Sequence, residues 1–344
     1  MQSWRLWMVS IGVAAFAAVA ALVRTAVPWP EEGALDVRWE AYRAHATEID
    51  LVAVGSSHIA RGFDPVAFDA EMARLGHPLH SYNLGADNMQ PVEADFVLRR
   101  AAAQRGTALR FAVIELLQFA PRGMLRDHAF TDRALYWHDA TALRAALARV
   151  SASAETPRER ARLAWLHVQH FAWRFVGLGR IDRVAARWRA PADPLDLAVA
   201  AAGGFEALDD RPDAAAERVR MRFLAASASY QEGLAEVDRR NRVPTPAGTD
   251  EVAALRAQVA RLRRAGIEPV YVTPPIPSPT PALRGIFAAA GDPLVVSTNA
   301  PGEFPALFAI EHRYDATHVN RAGAAVFSRL LAARLAARLA DGVR

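Results

Sequence analysis

The sequence predicts an α/β fold, a three-layer parallel sheet flanked by helices and carrying a helical insertion. Three observations predict it. Short apolar runs alternate with helical spacing in the first third of the chain, the alternation resumes near the C-terminus, and an Ala/Arg-rich segment lies between. A chain of 344 residues with 52 % apolar content can bury a core of that size.

Taken in order, residues 6–23 come first: eighteen residues without a charge, preceded by Arg5 and followed by Arg24, Pro28, Pro30, Glu31 and Glu32. That length is short for a bilayer span and long for the roughly 7–15-residue core of a cleaved signal. The reading is an uncleaved single-pass membrane anchor over residues 1–30. Residues 31–344 then lie outside the cytoplasm, on the periplasmic side of the inner membrane. Ala18-Val19-Ala20 offers a small-residue cleavage pattern, so a removed signal peptide is the alternative, and a buried helix the third.

Residues 49–54 are apolar and stopped by Gly55, as in a strand buried on both faces. Helical spacing follows over 65–75, a second short strand over 80–84 ending in Gly85, a proline-initiated helix over 91–105, and a third strand over 109–116. Strand, helix, strand, helix, strand implies parallel pairing with right-handed crossovers. After the insertion come a helix over 251–265, a strand over 269–273, a proline-rich loop, a strand at 294–297 and a final helix over 321–339.

The insertion, about 122–243, reads as mostly helical and contains Trp137, Trp165, Trp173 and Trp188. Eight Arg with interleaved Trp, Phe and Leu fall between residues 157 and 190, which suits a helix packed on the core with a solvated face, or one lying on a membrane surface. His167 and His170 have a spacing that metals use, but no third ligand is evident, and a structural role is the reading.

Composition excludes several chemistries. Zero Cys removes thiol nucleophiles and thiolate zinc sites, and all 41 basic residues are Arg, so Schiff-base and P-loop lysines are absent. The arginines are interspersed with 37 acids and form no long basic run, which argues against nucleic-acid binding.

Two constellations carry chemistry. Gly55-Ser56-Ser57-His58 stands at the carboxyl end of the first strand, where a turn into a helix exposes a serine Oγ and aims backbone N–H groups at an oxyanion. Asp315-Ala316-Thr317-His318 precedes the last helix. A serine needs a base, and the base needs a carboxylate to fix its tautomer; Asp and His three apart on one turn supply both.

These blocks resemble the SGNH (GDSL-like) hydrolases. Gly55-Ser56-Ser57 is similar to their Gly-Asp-Ser block, Asn83-Leu84-Gly85 to the second block with its oxyanion glycine, and Asp315-x-x-His318 to the last. Ser56 stands for the usual Asp, as in membrane-anchored relatives that modify teichoic acid or envelope polysaccharide. The third block, Gly-x-Asn-Asp in the family, is replaced by Ile114-Glu115-Leu116-Leu117-Gln118.

The resemblance implies a flavodoxin-like SGNH fold with Ser57 as nucleophile, His318 as base and Asp315 behind it. The oxyanion donors it implies are the N–H groups of Ser57 and Gly85, with the Asn88 or Gln118 amide in addition. It implies no cofactor and no metal, and an acylated glycan or lipid-linked substrate with acetyl as the acyl group. Water as acceptor gives an esterase, a sugar hydroxyl an O-acyltransferase. The rival reading is a degenerate SGNH-like domain that binds polysaccharide or partners a membrane-bound acyltransferase.

Overall fold

The computed structural model describes residues 2–26, 34–116, 132–153, 155–177, 193–210, 213–243, 248–290 and 293–342. The chain divides into two compact units, one of residues 1–36 and 120–194, the other of residues 37–119 and 195–344. Of the insertion expected over 122–243, its second part therefore groups with the sheet.

The larger unit is built on five parallel strands: β1 (Leu51–Val54), β2 (Ser81–Asn83), β3 (Phe111–Glu115), β4 (Glu268–Thr273) and β5 (Leu294–Ser297), in the order β2-β1-β3-β4-β5. Each strand lies within a residue or two of its sequence-predicted range; the inner strands β1, β3 and β4 are the apolar runs that belong where both faces are covered. Alternation assigns the faces. Leu51 and Ala53 of β1, Val113 of β3 and Val272 of β4 join one core with Phe63, Phe68, Phe327 and Leu331. Those partners come from the loop after Ser57–Gly62, from the helix Pro65–Arg74 and from the final helix Arg321–Gly342.

The opposite face holds Val52, Ala112 and Tyr271, each fully buried. There Tyr271 donates its hydroxyl to Gln258 Oε1 of the helix Thr249–Arg264 at 2.7 Å, and the helix Pro91–Ala102 packs on β1 and β3. Helices on both sides of a parallel sheet give the three layers. The strand order turns at β1, which pairs β2 on one edge and β3 on the other, so a crevice opens between the carboxyl ends of β1 and β3.

The smaller unit is helical: Gln2–Ala26, Asp132–Trp137, Ala140–Ala152 and Pro157–Val176. Thr156 caps the last of these through the Glu159 N–H, and Gly177 ends it at φ 75, a left-handed conformation that glycine adopts without penalty. Gln2–Ala26 presents Trp7, Val9, Phe16, Val19 and Leu22 outward, Trp7 with 70 % of its surface exposed. Among the described residues no helix is long and apolar enough to cross a membrane. Trp165 and Phe175 of Pro157–Val176 are exposed too, and Trp188 lies outside the described residues.

His167 and His170 are buried here with His138, whose Nε2 lies 2.9 Å from His167 Nδ1. Among the described residues no group of three or more His, Cys, Asp or Glu is arranged to hold a metal. Burial, aided by the charge of His170, holds His167 down to about 4. The unfolded chain thus binds a proton that the folded unit refuses between about 6.5 and the lowered value, and stability falls as the pH drops through that window. Thermal melts from about pH 7.5 to 4.5 should register a loss on the order of 3 kcal/mol, and His167→Leu should flatten the slope.

Candidate active site

Val54 ends β1, and Gly55 lets the chain pass tightly: a Cβ there would lie 2.5 Å from Glu115 Cβ and from Ile59 Cγ1. The sequence predicts the next helix near residue 65, but a short one begins at once, Ser57–Gly62. Ser56 is its N-cap, accepting from the His58 N–H through Oγ at 3.3 Å. Ser57 is therefore the first helical residue, and its own N–H has no acceptor within the helix.

The last block arrives from the far end of the chain on a tightly held loop. An antiparallel bridge joins Arg313 to Val319, and the fully buried Arg313 guanidinium donates to the carbonyls of Pro275 (2.7 Å) and Ala316 (2.9 Å). Asn320 closes the other side, donating to Glu311 O at 2.7 Å and accepting from the Gly323 N–H at 2.9 Å. On this frame His318 Nε2 lies 2.9 Å from Ser57 Oγ, and His318 Nδ1 lies 3.0 Å from Asp315 Oδ2. Three residues separated by up to 261 positions thus form one hydrogen-bonded chain.

Asp315 Oδ1 also accepts from the backbone N–H groups of Thr317 and His318, both at 2.7 Å. Burial by itself raises the Asp315 carboxyl; the His318 hydrogen bond and charge and these backbone donors outweigh it and hold the group well below the usual carboxylate range. Asp315 is thereby an anion positioned to fix the imidazole tautomer. Beside it opens a cavity of about 560 Å³, lined in part by Arg222, Phe223, Tyr230 and Thr317.

The oxyanion donors expected from the sequence fare differently. Gly85 reaches the crevice, but its N–H donates to Asn83 Oδ1 at 2.8 Å, which corrects the expectation of a free oxyanion donor. Asn83 is the cause: its Nδ2 donates to Ile59 O (2.8 Å) and Phe63 O (2.7 Å), so one buried amide ties β2 to the helix that carries Ser57. Arg38 then holds Gly85 O at 2.5 Å. Asn88 stands in a left-handed conformation, φ 55, with an exposed side chain, and Gln118 lies outside the described residues. The Ser57 N–H is the remaining donor of the set.

Gly85 matters for packing. An added Cβ would meet Ala60 N at 2.6 Å and Asn83 Oδ1 at 3.0 Å. Gly85→Ala should cost about 1–3 kcal/mol by overpacking and displace the Ser57 helix. Urea melts should show the lower midpoint.

Two neighbours of Ser57 were not singled out by the sequence. Glu115 at the end of β3 accepts from Ser56 N and from Ser56 Oγ at 3.1 Å, and lies 3.1 Å from His58 Nδ1. The signal for both was present: a lone carboxylate in the apolar run Phe111-Ala112-Val113-Ile114-Glu115, and a histidine directly after the serine. A charge in a strand buried on both faces needs a partner there. No protein-family model matches this chain, and no curated protein matches it.

Proposed function

We propose that this protein is an extracytoplasmic serine esterase or O-acyltransferase of the SGNH type. The observation that carries the reading is the 2.9 Å contact of His318 Nε2 with Ser57 Oγ, backed by Asp315 on Nδ1. His318 takes the serine proton as Ser57 attacks an ester carbonyl. The Ser57 N–H receives the developing oxyanion, and the acyl group passes through a covalent intermediate to water or to an acceptor hydroxyl. The substrate is an acyl ester, with acetyl the expected group, of an envelope glycan or lipid-linked molecule. The cavity beside Asp315 offers it Phe223 and Tyr230 as apolar surfaces and Arg222 as a polar one. No cofactor or metal has a part in this scheme.

A second reading, a non-catalytic partner of a membrane-bound acyltransferase that binds polysaccharide, draws on one observation: the Gly85 N–H is spent on Asn83. A serine-directed fluorophosphonate separates the two. Labelling of wild type that is lost in Ser57→Ala supports the enzyme; an unlabelled, folded wild type supports the partner.

The location belongs to the same proposal. Although the helix Gln2–Ala26 falls short of the length and apolarity of a full span, its outward apolar side chains support assigning it as the membrane anchor, in the inner membrane with the sheet domain on the periplasmic side. The full chain should stay in the membrane pellet after carbonate washing, and a chain starting at Glu31 should be released. Pellet retention without the first helix would assign membrane binding to the exposed Trp165 and Phe175 instead.

A further inference from the structure

The triad leaves one buried carboxylate of its own crevice unused. Glu115 is 1 % exposed, and the His58 ring whose Nδ1 faces it is 20 % exposed. Nδ1 points to the buried carboxylate, so Nε2 lies on the opposite ring edge, toward the exposed side. His58 stacks on His318 with ring centroids 5.2 Å apart and planes 24° off parallel. Two histidine–carboxylate pairs therefore stand beside one nucleophile, and only His318 is bonded to Ser57 Oγ.

Helix capping is a poor reason for such a pair. Ser56 already caps the helix, and burying a carboxylate costs several kcal/mol before its hydrogen bonds return any of it. Nor is Glu115 within the triad, whose carboxylate is Asp315.

Resting on the acyl-transfer reading above, we propose that His58 is a second catalytic acid and base, serving the alcohol while His318 serves the serine. The cycle starts with His318 neutral and His58 an imidazolium paired with Glu115. Ser57 Oγ attacks the ester carbonyl and its proton passes to His318 Nε2. The ester C–O bond breaks and the leaving alkoxide takes the proton of His58. The acyl-enzyme then carries its proton on His318, and His58 is neutral. An incoming hydroxyl attacks the acyl carbon and yields its proton to His58. The bond from Ser57 Oγ to the acyl carbon breaks, and Oγ recovers its proton from His318. The stacked pair holds one extra proton at both resting stages, and in the two tetrahedral intermediates both rings are charged, each beside its own carboxylate, Asp315 for His318 and Glu115 for His58.

The test compares leaving groups. A 4-nitrophenolate departs without a proton, whereas an alkoxide needs one, so His58→Gln should lower kcat/KM for ethyl acetate by about 10² or more. For 4-nitrophenyl acetate kcat/KM should fall by less than a tenth of that factor. Deacylation still needs the base, so the variant should show a nitrophenol burst and an acetyl-enzyme visible by intact mass. Glu115→Gln, which leaves the ring in place, should show the same split and keeps the test available if His58→Gln folds poorly. Equal losses on both esters, or none, overturn the role of His58 while Ser57-dependent turnover leaves the parent reading standing. A folded wild type that cleaves neither ester and takes no fluorophosphonate at Ser57 overturns both.

Discussion

Ser57→Ala is expected to lower turnover of a short acyl ester by a factor of roughly 10³ to 10⁶, with the fold unchanged by circular dichroism. The reason is local: His318 Nε2 has Ser57 Oγ as its 2.9 Å partner, and without that oxygen no covalent intermediate forms. His318→Ala should cost a similar factor, and the double variant scarcely more, because the two residues act as a unit. Ser56→Ala is the control. Its Oγ bonds Glu115 and His58 and caps the helix, so its loss should cost about 1 kcal/mol of stability and leave a substantial fraction of the activity. Initial rates on one ester for all four variants decide the matter. Activity surviving in Ser57→Ala but lost in Ser56→Ala would move the nucleophile one residue back.

Asp315→Asn carries the second large effect. The carboxylate accepts from His318 Nδ1 on one side and from two backbone N–H groups on the other, so it fixes both the ring and the loop. An amide can hold the loop but can present its NH₂ to Nδ1 and stabilise the wrong tautomer; the analogous change in serine proteases costs roughly 10⁴ in turnover. A loss of that order in kcat, with near-native circular dichroism, is expected.

The same substitution has a stability signature with a definite sign. The folded Asp315 carboxyl sits below its unfolded range, so its contribution is present above the ordinary carboxylate value and is lost as the pH falls toward the folded one. The gap in urea midpoint between wild type and Asp315→Asn should be open at about pH 7 and narrow at about pH 3. A gap that widens in acid would mean that the carboxylate is not held by the His318 contacts. Wild-type turnover by the folded variant across neutral pH would remove Asp315 from the mechanism.

The sequence by itself determined the sheet and both arms of the site. A strand buried on both faces must be a run of apolar residues, and such runs stand where the inner strands β1, β3 and β4 form. Gly55-Ser56-Ser57 at the end of one and Asp315-x-x-His318 before the last helix are local patterns, legible because turns and Asp–His contacts are made by near neighbours. Tertiary structure alone decided the rest. The short helix Ser57–Gly62, additional to the predicted one that forms at Pro65–Arg74, is held by Asn83 Nδ2 at the carbonyls of Ile59 and Phe63 across 20 positions and more. The same Asn83 turns its Oδ1 to the Gly85 N–H two residues on, a local contact whose orientation is set by the distant carbonyls that hold Nδ2. Glu115 meets His58 only because β1 and β3 are neighbours at the point where the strand order turns. Local pattern reports which residues want burial or a turn, whereas a buried polar group takes whichever partner the packing brings within 3 Å, and distance along the chain does not say which that is.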